Sequence, residues 1–192
     1  MSEKYDEMLA LVKNYHAGQS RSNGRVPYWT HCERVALMLK SLLAKSQEGT
    51  DGQQETLFIA ALGHDLYEDT SVTREEIVSK FDQEVDELIE QVTNRFGDDQ
   101  AAKYAQQMAK ASEAALLIKF ADLCENYWSV SYAIPDNGLE LSSKIASILD
   151  AQWPALKDCK FREFPKTASW LAEGIDLGQQ QLATALAQQT VM

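Results

Sequence analysis

The chain has 192 residues, 45% hydrophobic and 24% charged, enough to bury the core of one globular domain and too apolar for disorder. Its net charge of −11 excludes a general nucleic-acid or anionic-membrane surface, because phosphates reward positive potential. Four prolines and nine glycines favour helices over a turn-rich β architecture, and three scattered cysteines without a CxxC pair offer neither a disulfide framework nor a thiolate zinc site, as suits a reducing cytoplasm.

The N-terminus has no basic segment followed by an apolar stretch, and no window approaches the roughly 20 apolar residues of a membrane span, so export and insertion are not expected. Residues 3 to 17 read as a first helix, with Tyr5, Met8, Leu9 and Val12 at helical spacing. It stops at Gly18, and the turn-rich stretch from Gln19 to Pro27 reads as a loop at the lip of a site. A second helix is expected over Tyr28 to Lys45, with His31, Val35, Met38 and Leu42 on one face. A third starts near Gln53 and carries His64 and Asp65 at its end. Thr73 and Glu76 match a capping box that opens a short helix ending near Lys80. Helices follow over 83–93, with Val85, Leu88, Ile89 and Val92 as the buried stripe, and over 99–110 and 113–131. A turn is expected at Pro135-Asp136-Asn137-Gly138, before two last helices over 139–152 and 165–189. Trp153, Phe164 and Trp170 read as core or interface, and Cys32 as a small buried residue. There is no internal repeat or interdomain linker, so the expectation is an all-α, single-domain bundle over 1–192.

Two imidazoles and two carboxylates on otherwise apolar helical patterns, His31, His64, Asp65 and Asp122, are what a divalent metal needs and what a core does not. An inward carboxylate at Asp122 costs several kcal/mol unless it is paired or ligating. Arg34 or Lys119 could supply an ion pair instead, and His31 alone could be a hydrogen-bonded core residue. Mixed imidazole and carboxylate ligation suits Mn²⁺, Fe²⁺, Co²⁺ or Zn²⁺ better than Ca²⁺ or Mg²⁺. Water on such an ion becomes a nucleophile near neutral pH. If the third helix continues, Glu68 and Asp69 project over the ligand rim and can take or hold a water proton. The plainer alternative for that pair is a solvated helix end.

The segments Val26 to His31, Ala60 to Thr70 and Ile118 to Asn126 resemble the HD-domain metal-dependent phosphohydrolases. Within that family they are closest to the alarmone hydrolases, the hydrolase half of the Rel/SpoT proteins and their stand-alone relatives, whose patterns approach PYxxH, HDxxEDT and KxADxxxN. The likeness spans about residues 5 to 130. It implies an HD-type helical bundle, a Mn²⁺ ion and removal of the 3′-pyrophosphate from ppGpp or pppGpp. It implies His31, His64, Asp65 and Asp122 as ligands, Glu68 and Asp69 as the water-activating pair, and Arg21, Asn126 and Ser129 as nucleotide contacts. Ser22 and Leu123 stand where that subgroup often has a basic residue. The expected partner is a small nucleotide, with no general nucleic acid and no membrane. A nucleotidase or other phosphomonoesterase on the same scaffold, and a nucleotide-binding module without turnover, are the alternatives.

Overall fold

The computed structural model describes residues 2–22 and 24–190, with the side chain of Thr190 left aside. Asn23, part of the expected loop, lies outside the described residues. Among the described residues the chain is helical, with a single antiparallel bridge, Ser20 to Pro27, closing the base of that loop.

Helix α1 (Glu3–Tyr15) starts at Ser2, whose hydroxyl accepts from the Tyr5 amide, and buries Tyr5, Met8 and Val12. Helix α2 (Trp29–Ser46) buries Cys32, Val35, Ala36, Leu39 and Leu43 beside His31. The expected stripe through Met38 and Leu42 is thus rotated, and these two are only half-buried. Helix α3 (Asp51–Leu62) opens on a reciprocal capping box between Thr50 and Gln53 and packs between α1 and α2.

Helix α3 ends before His64, and a three-residue turn leads to α4 (Leu66–Asp69). At Gly63 a Cβ would lie 2.8 Å from the Ile89 Cδ1 of the packed core. Thr73 caps α5 (Arg74–Phe81) by accepting from the Glu76 amide. The Glu76 carboxylate does not complete the expected box; it accepts from the Tyr15 hydroxyl at 2.5 Å. Helix α6 (Gln83–Val92) buries the expected stripe and also Asp86, which pairs with Arg74 and accepts from the Tyr67 hydroxyl. Helix α7 (Ala101–Met108) follows one 3₁₀ turn.

Helix α8 (Glu113–Asn137) is the spine of the molecule, packing on α2, α6, α9 and α10. The turn expected at Pro135 is instead the helix's last turn. A proline so close to an end withholds one donor, from the carbonyl four residues back, and Gly138, at φ +78°, closes the helix through its amide to Ile134 O. Pro154 is likewise carried in the last turn of α9 (Leu139–Leu156). Helix α10 (Pro165–Thr190) lies along α8, where a Cβ on Gly174 or Gly178 would meet Cys124 Sγ or Tyr127 Cβ at 2.9 Å. Trp153 and Phe164 are buried in the core, as is Cys32, and Trp170 is half-buried beneath the Lys45 ammonium. No helix of the described residues is long and apolar enough to cross a membrane.

Candidate metal centre

Three elements bring the four expected donors together: α2 supplies His31, the α3–α4 turn supplies His64 and Asp65, and α8 supplies Asp122. Because helix geometry breaks at Gly63, the adjacent His64 and Asp65 are free of the 100° divergence that a continuous helix would impose. His31 Nε2 lies 3.1 Å from Asp122 Oδ1 and 3.6 Å from Asp65 Oδ2. His64 Nε2 lies 3.1 Å from Asp65 Oδ2 and 3.7 Å from Asp122 Oδ1. Donors bonded to one ion at about 2.1 Å sit about 3 Å apart when at right angles, so these spacings match a shared cation.

The tautomers agree with that fit. His64 Nδ1 faces the Ala61 carbonyl at 2.8 Å, an acceptor only, so it carries hydrogen and Nε2 is left as the donor for an ion. Although His64 Nε2 is near Asp65, it is a buried atom with no hydrogen-bond partner. His31 Nδ1 likewise faces the Glu125 carboxylate at 2.5 Å. The carboxylates are also held from behind. The Tyr28 hydroxyl donates to Asp65 Oδ2 at 2.8 Å, Lys119 Nζ to Asp122 Oδ2 at 2.7 Å, and Asn126 Nδ2 to Asp122 Oδ1 at 2.6 Å. Of the two expected candidates, Lys119 forms the ion pair with Asp122; Arg34 instead donates to Glu125 Oε1 at 2.6 Å. The pair occupies one Asp122 oxygen and leaves the other, which also accepts from Asn126, facing both imidazoles, so the ion pair does not preclude ligation.

Electrostatics favour a cation. Burial opposes charge on His64, but the Asp65 and Asp122 carboxylates outweigh it and raise its pKa well above the ordinary value, so Nε2 faces a negative field that either a proton or a cation in its place would satisfy. Burial would lift Asp122 too, yet Lys119 and the two histidines hold it well below the usual carboxylate range. Glu125 is held at about 2: burial raises it, and the hydrogen bond to His31 with the Arg21 and Arg34 charges lowers it further than burial lifts it.

The expected water-activating pair divides. Glu68 lines the cleft of ≈ 210 Å³ that contains the donors, accepting from the Asn94 amide at 2.9 Å. Its carboxyl is pushed up to about 7, mainly by burial and by the Asp65 charge. Asp69 is not among the cleft-lining residues; α4 turns it toward Tyr28 and His16. One residue apart on a helix, the two project about 100° apart.

The three expected nucleotide contacts converge. One Arg21 nitrogen donates to Asn126 Oδ1 at 2.9 Å and to Ser129 Oγ at 2.8 Å. Asn126 is thereby engaged at both ends, bridging Arg21 to Asp122. Arg21, Ser129, Arg34, Trp128 and Tyr132 line a second, more apolar cleft of ≈ 450 Å³. Sequence reasoning named Lys119 as one of two possible partners of Asp122; it missed Glu125 and Tyr28 as partners of the donors, and the wall that Ile145, Ile148, Leu149 and Gln152 of α9 place over the first cleft. Tyr28, three residues before His31, carried a usable signal: one helical turn from a candidate ligand.

The model of the HD domain matches residues 9–120, more than half of the chain. The chain belongs to the HD domain family. Among curated proteins, this HD chain is 32% identical over 131 residues to the guanosine-3′,5′-bis(diphosphate) 3′-pyrophosphohydrolase of Aquifex aeolicus, covering 65% of this chain and 17% of that one. It is 31% identical over 148 residues to the bifunctional (p)ppGpp synthase/hydrolase SpoT of Escherichia coli K12, covering 72% and 20%. The chain thus spans about a fifth of the length of the curated relatives it matches. A solved structure described as a metazoan ortholog of SpoT that hydrolyzes ppGpp superposes with a TM-score of 0.70 over 94% of this chain and 96% of the other, at 24% identity. That likeness establishes the all-α HD bundle as the fold. The matched region ends two residues before Asp122, so the fourth donor is placed by the structure of α8.

Proposed function

We propose that this HD protein is a Mn²⁺-dependent hydrolase that removes the 3′-pyrophosphate from ppGpp or pppGpp, with residues 1–192 acting as one unit in a reducing cytoplasm. The observation that carries the reading is the cluster of His31, His64 and Asp65, whose donor atoms lie within 4.8 Å of one another, with Asp122 Oδ1 3.1 Å from His31 Nε2, in a cleft that also holds Glu68 and Lys119. The names of the relatives support the substrate, and so does Arg21, joined to Asp122 through Asn126 and lining a cleft of ≈ 450 Å³.

A divalent ion held by the four donors would polarise the scissile phosphoryl group and acidify the attacking water. Glu68 stands where it can accept that water's proton, and its raised pKa suits exchange near neutrality. Lys119, buried and pinned to Asp122, keeps one oxygen of that ligand neutralised. Arg21 would meet the nucleotide, steadied by Asn126 and Ser129. Asp69 faces Tyr28, outside the residues that line the donor cleft, and takes no part in the proton transfer in this reading.

The test is to incubate the protein with Mn²⁺ and ppGpp, pppGpp, GTP and nucleoside monophosphates, and to separate products by ion exchange. Pyrophosphate from ppGpp, lost in Asp65→Ala, is the expected result. Orthophosphate from the monophosphates would assign a phosphomonoesterase instead, and no product with retained nucleotide binding would assign a binding module.

A further inference from the structure

Glu125 is 95% buried on α8, three residues past Asp122, and its carboxylate touches three other side chains at once. His31 Nδ1 lies 2.5 Å from Oε2, Arg34 Nε donates to Oε1 at 2.6 Å, and Arg21 approaches Oε2 at 3.3 Å. Such a charge is costly to bury unless it is fully hydrogen-bonded, and two guanidiniums and one imidazole provide that. A carboxylate behind an imidazole fixes which ring nitrogen bears the hydrogen, points the other nitrogen at an ion, and makes it a stronger donor.

We propose that Glu125 is the positioning residue for His31: it keeps the ring as the Nδ1–H tautomer with Nε2 aimed between Asp65 and Asp122, and Arg21 and Arg34 hold Glu125 in place for that task. The inference rests on the metal reading above. It treats the two histidines as unequal donors. His64 is oriented by a neutral carbonyl and His31 by an anion, so His31 is the firmer ligand of the pair. It also gives Arg34 a role, since its guanidinium sits at the mouth of the larger cleft and reaches back to Glu125 instead of to the donors.

The experiment uses the full chain. Mn²⁺ is titrated into wild-type, Glu125→Gln and Glu125→Ala protein, and the free aqua ion is counted by electron paramagnetic resonance, with far-ultraviolet circular dichroism recorded on each sample. The dissociation constant is expected to rise about 10- to 100-fold in Glu125→Ala and by less in Glu125→Gln, which keeps an acceptor oxygen but loses the charge. Affinities equal to wild type in folded variants overturn the inference. Should a variant fail to fold, a long-range ¹H–¹⁵N correlation spectrum of wild-type protein loaded with diamagnetic Zn²⁺ decides: His31 as the Nδ1–H tautomer supports the proposal, and as the Nε2–H tautomer overturns it. Wild-type protein that takes up no Mn²⁺ overturns the metal reading and this inference with it, an outcome separate from equal affinities.

Discussion

Glu68 and Asp69 are neighbours in sequence and face different surroundings in the fold, so their substitutions should differ in kind. Glu68→Gln removes the proton acceptor and should lower kcat by about 10²- to 10⁴-fold with little change in KM, whereas Asp69→Asn should be much milder. The Glu68 carboxyl, pushed up to about 7, is protonated below that pH, so the rate should rise with pH through this value. A bound cation favours the ionised form, which moves the rising limb to lower pH. A profile that is flat in wild type and unchanged in Glu68→Gln would remove Glu68 from the proton path. At Asp86, burial raises the carboxyl pKa, but the hydrogen bonds from Arg74 and Tyr67 outweigh it and leave the pKa lowered. A depressed carboxylate stabilises the fold above its unfolded pKa, near 4, and that contribution disappears as pH falls through the folded value. Asp86→Asn should therefore cost about 2 kcal/mol at pH 7, less than a fully buried pair because Arg74 is half-exposed, and flatten the acid limb of the stability curve. Chemical denaturation at pH 7 and pH 4 measures both effects. The donor set was legible at this scale because histidine and aspartate are rare on apolar helix faces. Glu125 was not, since one glutamate in a helix reads as a solvated charge until its three partners, from residues 21, 31 and 34, are brought to it.

Capping chemistry located one helix start: Thr73 accepts from the amide three residues on, as its spacing announces. The Thr50–Gln53 box, which opens α3 at Asp51, is missed by a reading that places that start near Gln53. Helix ends were harder to read. Periodicity carried α3 through His64 and Asp65, because a pattern of side chains does not register that Gly63 packs against Ile89 and Met8 and turns the chain there. Proline near a C-terminus misled in the opposite direction at Pro135, where the lost donor costs little so close to the end. The two glycines of α10 make an element-scale prediction. In an exposed helix Gly→Ala gains about 1 kcal/mol from propensity. At Gly178 the new Cβ would sit 2.9 Å from Tyr127 Cβ, which is tied to the α8 backbone and cannot swing aside. Overpacking of this kind costs about 1–3 kcal/mol, so Gly178→Ala should lower the melting temperature, and a rise would show that the helices part without strain.

Helix α9 adds a wall to the candidate site. Helix α9 closes one side of the donor cleft with Ile145, Ile148 and Leu149, and an apolar wall excludes water and strengthens every charge interaction facing it. Ile148, half-buried at that wall, can be changed without opening the core. Ile148→Asp should raise KM for an anionic nucleotide several-fold through repulsion while leaving the circular dichroism spectrum and melting curve near wild type, and steady-state kinetics at two ionic strengths would show the difference shrinking with salt.

Helix α8 joins these scales. On one side it presents Asp122, Glu125, Asn126 and Ser129 to the two clefts, and on the other it presses Cys124 and Tyr127 into the gap left by the glycines of α10. A stiff rod clamped on one flank cannot be displaced there without carrying its opposite flank along. Damage at the C-terminal helix, remote from any donor atom, should register both as a weaker hold on a divalent ion and as a lower temperature of unfolding.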